Sequence, residues 1–326
     1  MSKLVTIYGG SGFVGRYIAR RMAKDGWRVR VAVRRPNEAL FVRTYGVVGQ
    51  VEPVLCNVRD DASVAAAMAG ADAVINCVGV LAETGKNTFA AVQAEGAERI
   101  ARLSASEGVA AMVHISAIGA DSASESEYAQ TKAEGEAGVV AHRPDATILR
   151  PSVMFGQEDD FFNRFAGMSR FGPVLAIVGG ETRFQPVYVD DVAAAAVKAA
   201  KGEAEAGLYE LGGPDVRTFR EWMTIMLQEI RRRRLIVNLP FFVGHLLGMG
   251  LEVGHFLSLG IVPRLITRDQ VKNLKVDNVV GEGVRGLDDL GIQSTSVEAV
   301  LPSYLWRFRP SGQYDAIKES ARNLRA

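Results

Sequence analysis

The chain has 326 residues, 48% of them hydrophobic, which is enough for one full-sized domain and a smaller one, each with its own core. Its formal net charge at pH 7 is +1, so no global field attracts nucleic acid, and we expect no nucleic-acid partner. The two cysteines, Cys56 and Cys77, stand near the ends of apolar runs and are expected to be buried thiols. The four histidines lack metal-ligand spacing, so no metal site is predicted.

The first 150 residues alternate short apolar runs with helical patterns. The runs predict strands at 4–8, 29–33, 51–56, 73–76, 112–116 and 146–150. The stretches between them predict helices at 13–24, 60–69, 87–106 and 125–141. Because continuous apolar strands alternating with helices are typical of sheets buried on both faces, we predict an α/β fold with a Rossmann doubly wound parallel sheet.

The pattern becomes irregular after residue 150. A loop rich in charge and phenylalanine covers 156–171, whereas 184–189, 190–200 and 208–211 again have the pattern of the sheet domain. We therefore predict a Rossmann domain made of 1–155 and 184–214. A smaller, discontinuous α/β domain is predicted from 156–183 and 215–326.

A glycine-rich turn follows the first strand directly and opens the first helix. Its sequence from residue 9 is GGSGFVG, with the spacing G-x-x-G-x-x-G. The first glycine permits a tight turn, the second lets the backbone approach a pyrophosphate, and the third allows close helix–strand packing. The helix N-terminus then offers free N–H groups to the anion. The predicted dinucleotide contacts in this segment are Gly9, Ser11, Gly12, Phe13, Val14, Gly15 and Arg16.

The end of the second strand predicts which dinucleotide binds. Binding of NAD usually needs an acidic residue here for the ribose 2′-hydroxyl, but the sequence has Arg34 and Arg35. Together with Arg16, these guanidinium groups suit a 2′-phosphate. We therefore predict NADP(H), bound as NADPH; a solvated basic strand end is the other interpretation.

Further motifs resemble the short-chain dehydrogenase/reductase superfamily, of the extended or atypical kind, over residues 1 to about 215. Asn57 and Val58 resemble the loop that contacts adenine, and the segment ending in Cys77, Val78 and Gly79 resembles the one flanking the cofactor ribose. The sequence RPSVMFG from residue 150 resembles the segment beside the nicotinamide. This resemblance implies cofactor contacts at Pro151, Ser152 and Val153.

The sequence YAQTK from residue 128 is the Y-x-x-x-K motif of the same superfamily. Tyr128 and Lys132 are four residues apart and share one helix face. In the family the lysine holds the nicotinamide ribose and lowers the phenol pKa, so the tyrosine can act as a general acid or base. The family's third hydroxyl falls on Ala117, while Ser116 stands one residue early, on the opposite strand face. Ser116 remains a candidate cofactor contact, and the catalytic pair is either active or vestigial.

A narrower resemblance is to the nucleotide-binding accessory subunits of respiratory complex I, the NADH:ubiquinone oxidoreductase. It rests on the aromatic Tyr8 before the turn, on GFVGRY from residue 12 and on FQPVYVDDV from residue 184. The resemblance implies a tightly held NADPH with a structural role. It also implies other complex I subunits of the peripheral arm as partners, on the cytoplasmic face of a bacterial inner membrane or on the matrix side in mitochondria.

Four consecutive arginines at 231–234 precede a very apolar stretch that reaches residue 262. Glycines, histidines and a glutamate interrupt this stretch, so it does not predict a membrane-spanning helix. Residues 231–262 could contact a membrane surface, with the arginines on anionic head groups, or form an ordinary buried helix with a charged rim.

Two other functions remain open. The chain could be a free-standing NADP-dependent reductase, epimerase or dehydratase, although Ala117 in place of a hydroxyl residue disfavours this. It could also be a redox-sensing regulator, although the apolar, arginine-flanked stretch favours a complex I subunit.

Overall fold

The computed structural model describes residues 2–257, 267–310, 312 and 314. It divides into two compact units. The sheet unit comprises Met1–Ser152, Val189–Gly212 and Val280–Ser294. The second unit comprises Val153–Tyr188, Gly213–Val279 and Thr295–Ala326.

The strands, in chain order, are β1 (Leu4–Tyr8), β2 (Arg28–Val33), β3 (Val51–Leu55), β4 (Ala73–Asn76), β5 (Ala111–Ile115), β6 (Thr147–Pro151), β7 (Met154–Phe155), β8 (Val174–Val178), β9 (Arg183–Phe184), β10 (Val187–Tyr188), β11 (Gly207–Leu211), β12 (Arg217–Thr218) and β13 (Leu235–Leu239). The α-helices are α1 (Phe13–Lys24), α2 (Asp61–Met68), α3 (Glu95–Ser106), α4 (Glu127–His142), α5 (Phe162–Met168), α6 (Val189–Ala200), α7 (Phe219–Glu229), α8 (Phe241–Leu257), α9 (Arg268–Asn273) and α10 (Val297–Leu305). Short 3₁₀ segments cover Pro36–Tyr45, Asp288–Leu290 and Trp306–Phe308.

The sheet unit is built on seven parallel strands in the order β11-β6-β5-β4-β1-β2-β3. The chain reverses its direction of winding between β1 and β4, which is the point where doubly wound sheets bind ligands. The predicted Rossmann fold is confirmed.

Helices cover both faces of this sheet. On one face α1 packs against α6, and Arg21 donates two hydrogen bonds, of 2.7 and 2.8 Å, to Asp190. On the other face α2, α3 and α4 bury an apolar layer that includes Val64, Ile100 and Val139. This burial is the main stabilising contribution to the unit.

The predicted helix at 87–106 is interrupted. A π-helical turn covers Ala90–Ala94, and α3 begins at Glu95. The turn is where the backbone closely approaches α4, since a Cβ added to Gly135 would lie 2.3 Å from the carbonyl oxygen of Gln93. Periodicity alone does not reveal the extra residue in such a turn.

Two segments lie in a different unit from the one that the sequence pattern suggests. Residues 184–188 have the pattern of the sheet domain, but β9 pairs with β12 and β10 pairs with β7, within the second unit. Residues 280–294 follow the sheet domain's predicted end, yet they pack on β11. There the Gly281 N–H donates to Glu210 at 2.8 Å and the Arg285 guanidinium stacks on Tyr209. Both placements depend on contacts between segments far apart in the chain.

The second unit has an aromatic core. Trp222 of α7 is fully buried, and its indole N–H donates to the carbonyl of Phe184 at 3.1 Å. The Tyr304 hydroxyl of α10 donates to the buried Asp159, which also accepts N–H groups of the loop. The loop from residue 156 is thereby tied to α10.

The apolar stretch after the four arginines forms two elements. β13 pairs in parallel with β8, and α8 follows it. Residues 258–262 lie outside the described residues. Of the helices within 2–257 and 267–310, none combines the length and hydropathy needed to cross a bilayer.

Candidate dinucleotide-binding site

In the turn after β1, the backbone conformation at Gly9 and the close backbone contacts at Gly15 both favour glycine. Gly9 has φ +72°, and the Gly12 N–H donates to the Gly9 carbonyl at 2.9 Å. A Cβ added to Gly15 would lie 2.5 Å from the Gly9 oxygen and 2.6 Å from the Gly10 Cα. The packing of α1 against this turn therefore depends on glycine at position 15.

The first turn of α1 is open to an anion. Gly12 is its N-cap residue, no side chain caps the helix, and no acidic residue lies in the first turn. Val14 is buried, so only its backbone can face a ligand, whereas Ser11 and Phe13 are half-buried. Free N–H groups and the positive end of the helix dipole fit a pyrophosphate.

The sequence predicts that three arginines bind the adenosine end. The Arg16 guanidinium donates to the carbonyls of Ser11 and Gly12 at 3.1 and 3.3 Å and lies 5.1 Å from the Phe41 ring centre. Arg34 is exposed, and Arg35 pairs with Glu38 at 3.0 Å. Phe41 and Glu38 both belong to the 3₁₀ segment after β2, so that segment orients two of the three arginines.

The loop after β3 is organised by Asn57. Its side-chain oxygen accepts the Arg59 N–H at 3.2 Å, and its own N–H donates to the Ser63 hydroxyl at 2.9 Å. Val58 packs near Gly96 of α3. The Asn57 amide therefore shapes this turn, and its oxygen is already hydrogen-bonded.

The loop after β4 lies against the glycine turn. A Cβ on Gly9 would lie 3.2 Å from the Cys77 carbonyl carbon and 3.3 Å from the Val78 nitrogen. The Asn76 side chain accepts the Val78 N–H at 3.0 Å. Both cysteines are free thiols; Cys56 is buried as expected, whereas Cys77 is only half-buried. Desolvation of its thiol raises the pKa of Cys77 to about 12.

Lys132 is buried and reaches the ends of β4 and β5. Its ammonium group donates to the Ile115 carbonyl at 3.2 Å, and a Cβ on Gly79 would lie 3.5 Å from the Lys132 Nζ. Burial lowers the pKa of Lys132 to about 8. Tyr128, one turn earlier on α4, is half-buried with its ring edge-on to Phe89 at 5.9 Å. The helix begins at the Ser126 cap.

Ser116 continues the strand pairing of β5, since its N–H donates to the Leu149 carbonyl at 2.7 Å. Its hydroxyl is buried and has no hydrogen-bond partner within the described residues. A buried hydroxyl of this kind fits a bound group nearby. Pro151 ends β6, and the N–H of the buried Ser152 donates to Leu211 at 2.9 Å.

Val153 is described with the second unit, where its N–H donates to Asn278 at 3.0 Å. All the predicted cofactor contacts except Val153 therefore lie in the sheet unit. No group of three or more potential metal-ligating side chains occurs among the residues described.

Sequence reasoning assigned no role to Gln93 and His114. Both are buried, and Gln93 Oε1 and His114 Nε2 have no partner in the described part of the chain. His114 also contacts the Asn76 amide at 3.1 Å. The sequence does distinguish His114, because it is a polar residue within the otherwise apolar strand AMVHI. Asn76 stands out in the same way in the strand AVIN.

Residues 5–212 match the model of the NAD dependent epimerase/dehydratase family. This match covers more than half of the chain. The chain belongs to the NAD dependent epimerase/dehydratase family. The predicted resemblance to extended short-chain dehydrogenases and reductases is therefore confirmed.

Two curated relatives extend the family match toward the C-terminus. The chain is 33% identical over 319 residues to "NADH dehydrogenase (ubiquinone) 1 alpha subcomplex subunit 9, mitochondrial" of Arabidopsis thaliana, covering 95% of this chain and 79% of that protein. It is 32% identical over 241 residues to a ceramide reductase of Caulobacter vibrioides, covering 73% of this chain and 74% of that protein. The predicted kinship with complex I subunits is confirmed.

A solved structure of the same fold is "NADPH-dependent quinone oxidoreductase QOR2 complexed with NADPH" from Escherichia coli. Its TM-score to this chain is 0.69 at 18% identity, and the match covers 90% of this chain and 97% of that one. At this identity the likeness shows the fold alone.

Proposed function

We propose that this member of the NAD dependent epimerase/dehydratase family is a subunit of a respiratory NADH:quinone oxidoreductase and binds NADP(H) in a structural role. The observation that carries the proposal is the match to a complex I subunit over 95% of the chain. That match includes the second unit, whereas the ceramide reductase match covers 73%.

The sheet unit has the features that a dinucleotide needs. The uncapped N-terminus of α1 would hold the pyrophosphate, and Lys132 would hold the nicotinamide ribose. Arg34, Arg35 and Arg16 favour a 2′-phosphate, because no acidic residue ends β2. Bound NADP(H) supplies hydride chemistry where a substrate is also positioned.

The missing hydroxyl supports the structural role. Tyr128 and Lys132 remain, but Ala117 stands at the family's third position, so no side chain there can polarise a carbonyl substrate. A ligand that binds only the folded state still stabilises it, by about 3 kcal/mol at one hundred times its Kd. NADP(H) would thus brace the glycine turn against the loop after β4.

The second unit supports a peripheral membrane contact through a surface that we call the arginine–phenylalanine tip. Phe171 is 79% exposed beside Gly172, whose φ is +73°, and Leu235 is 66% exposed opposite Val174 in the β8–β13 pair. The tip comprises Arg170, Phe171, Val174, Arg232, Arg234 and Leu235.

The arginines of the tip lie close enough to influence one another. Burial, and then the charges of Arg234 and Arg170, lower the pKa of Arg232. In the described part of the chain these three pair with no carboxylate, although Arg232 donates to the Phe308 carbonyl and Arg234 to that of Ser169. Guanidinium groups that no carboxylate neutralises, beside exposed apolar side chains, suit an anionic lipid surface.

Native purification tests the assignment as a subunit. The chain should migrate with complex I from membranes on native gels and carry NADPH in near-stoichiometric amount. A chain that stays apart from the complex in every fraction would refute the proposal.

Vesicle binding tests the tip separately. Phe171→Ser with Arg170→Glu should weaken binding to phosphatidylglycerol-containing vesicles, because the pair of changes removes an exposed apolar ring and reverses one charge of the tip. Both side chains are exposed, so the fold should be preserved. Leu55→Ser in the sheet unit is the control, since Leu55 is 69% exposed. Equal binding of all variants, or no preference over neutral vesicles, would exclude the tip as the lipid contact.

A free-standing NADP-dependent reductase is the second candidate function. The Y-x-x-x-K pair is complete, with Lys132 buried beside Ile115, and a ceramide reductase is among the relatives. NADPH oxidation with a carbonyl substrate, abolished by Tyr128→Phe, would favour this function.

A further inference from the structure

The loop that runs from Cys77 to Val80, after β4, is held by two buried amide side chains. Asn76 Oδ1 accepts the Val78 N–H at 3.0 Å, and Gln93 Nε2 donates to the Val80 carbonyl at 3.2 Å. Gln93 itself lies in the π-helical turn that touches Gly135 of α4. The loop backbone is thus fixed from β4 on one side and from the turn on the other.

His114 determines how the Asn76 amide is oriented. Because the Val78 N–H needs an acceptor, the oxygen of the amide faces Val78 and its NH₂ group faces His114 at 3.1 Å. An NH₂ group only donates, so His114 Nδ1 must be the unprotonated acceptor. The ring is therefore neutral, with its proton on Nε2.

The surroundings keep the imidazole neutral. Burial and the nearby Lys132 ammonium lower the pKa of His114 to about 3. A proton on Nδ1 would also face the NH₂ group of Asn76, placing two donors against each other. The acceptor role is thus maintained throughout the physiological pH range.

The loop held in this way contacts both halves of the candidate site. Cys77 and Val78 lie against Gly9, and Gly79 lies near the Lys132 ammonium. Gly9 is also held from β2, since its N–H donates to the Ala32 carbonyl at 2.9 Å. A shift of the loop would therefore alter chiefly the contact between Gly79 and the Lys132 ammonium, at the ribose end of the site.

We propose that His114 is a positioning residue for the ribose end of the cofactor site, acting through Asn76 on the loop Cys77 to Val80. The inference rests on the proposed binding of NADP(H). His114 makes the Asn76 amide a rigid support, so the loop keeps one conformation against Gly9 and Lys132. Loss of the acceptor leaves a buried NH₂ group unpaired and frees the amide to rotate.

The experiment compares NADPH with 2′,5′-ADP, which lacks the nicotinamide ribose. His114→Leu should weaken NADPH binding about tenfold and change 2′,5′-ADP binding less than about twofold, as expected for one lost buried hydrogen bond. His114→Asn keeps an acceptor near the Nδ1 position and should restore most of the NADPH affinity. Thr6→Val is the matched control, because it removes another buried hydrogen bond of the same sheet, to Ala67.

Hydrogen exchange of the Val78 amide supplies a readout without ligand. Its protection should fall in His114→Leu, and it should be retained in His114→Asn and Thr6→Val. Unchanged protection in His114→Leu, or equal losses for NADPH and 2′,5′-ADP, would overturn the positioning role. A wild-type chain with the expected exchange pattern that binds no NADPH would instead refute the proposed function alone.

Discussion

The ammonium group of Lys132 donates a 3.2 Å hydrogen bond to the carbonyl oxygen of Ile115, in a buried position at the end of β5. An ammonium ion in such a place is destabilising unless a ligand adds further hydrogen bonds. Burial accordingly lowers the pKa of Lys132 from 10.5 to about 8. The buried position of Lys132 thus suits ligand binding and lowers the stability of the ligand-free protein.

Lys132→Met should therefore stabilise the ligand-free protein while weakening NADPH retention. The gain at pH 7 is at most about 3 kcal/mol, the equivalent of the pKa shift. Urea unfolding and calorimetric titration measure the two effects. A variant that is both less stable and fully able to bind would contradict this role of the lysine.

Stability should also respond to pH through the same residue. Because its folded pKa lies below its unfolded one, the unfolded chain holds the proton more tightly, and stability rises as pH increases above about 8. Burial raises the pKa of Cys56 to about 11 and of Cys77 to about 12, which opposes the rise above about pH 9. Between pH 8 and 9 the wild type should gain about 1 kcal/mol relative to Lys132→Met.

Gly15→Ala should disrupt the glycine turn, because the new Cβ would meet the Gly9 oxygen at 2.5 Å. Relieving that overlap needs a backbone shift costing about 2 kcal/mol, and dinucleotide binding should be lost. Gly250→Ala is the control, since nothing lies within 4 Å of its Cβ position. Equal melting temperatures and NADPH affinities for the two variants would show that the packing at Gly15 is unimportant.

Arg34→Ala with Arg35→Ala should lower NADPH affinity by about 2 kcal/mol and leave NADH affinity almost unchanged, since only NADPH carries the 2′-phosphate. Arg28→Ala, at the other end of β2, is the control for a change of surface charge. Calorimetry with both dinucleotides measures the difference. Equal wild-type affinities would argue against NADP(H) specificity.

Tyr128→Phe should leave assembly and NADH:quinone activity of the complex nearly unchanged, because the proposed role is structural. The ring contact with Phe89 survives the substitution, so folding should be preserved. Assays of isolated membranes measure activity directly. A large loss of activity with normal assembly would indicate that the phenol takes part in chemistry.

Arg150→Met should destabilise the sheet unit by about 3 kcal/mol or more, because it removes the cation shared by two buried carboxylates. Arg150 donates to Glu136 at 2.9 and 2.6 Å and lies 3.5 Å from Glu210. Arg102→Met, which removes an exposed pair with Asp61, should cost less than about 1 kcal/mol. Chemical denaturation of both variants tests the difference.

The sequence by itself determined the sheet unit's basic organisation and the location of its glycine turn. Strand and helix periods are local properties, so the seven strands of the sheet and α1 follow from residues that are neighbours in the chain. The turn GGSGFVG and the pair of Tyr128 and Lys132 are equally local, because their spacing alone places them at a helix start and on one helix face.

Only the tertiary structure decided which distant segments meet. The pairing of β8 with β13, the attachment of 280–294 to β11 through Glu210, and the contact of His114 with Asn76 join residues 38 to 71 positions apart. Such contacts depend on the complementary burial of two surfaces and on hydrogen-bond donors lying opposite acceptors. Neither condition can be read from the local periodicity of the sequence. For that reason the glycine turn was predictable from sequence, whereas the buried amides that support the neighbouring loop were not.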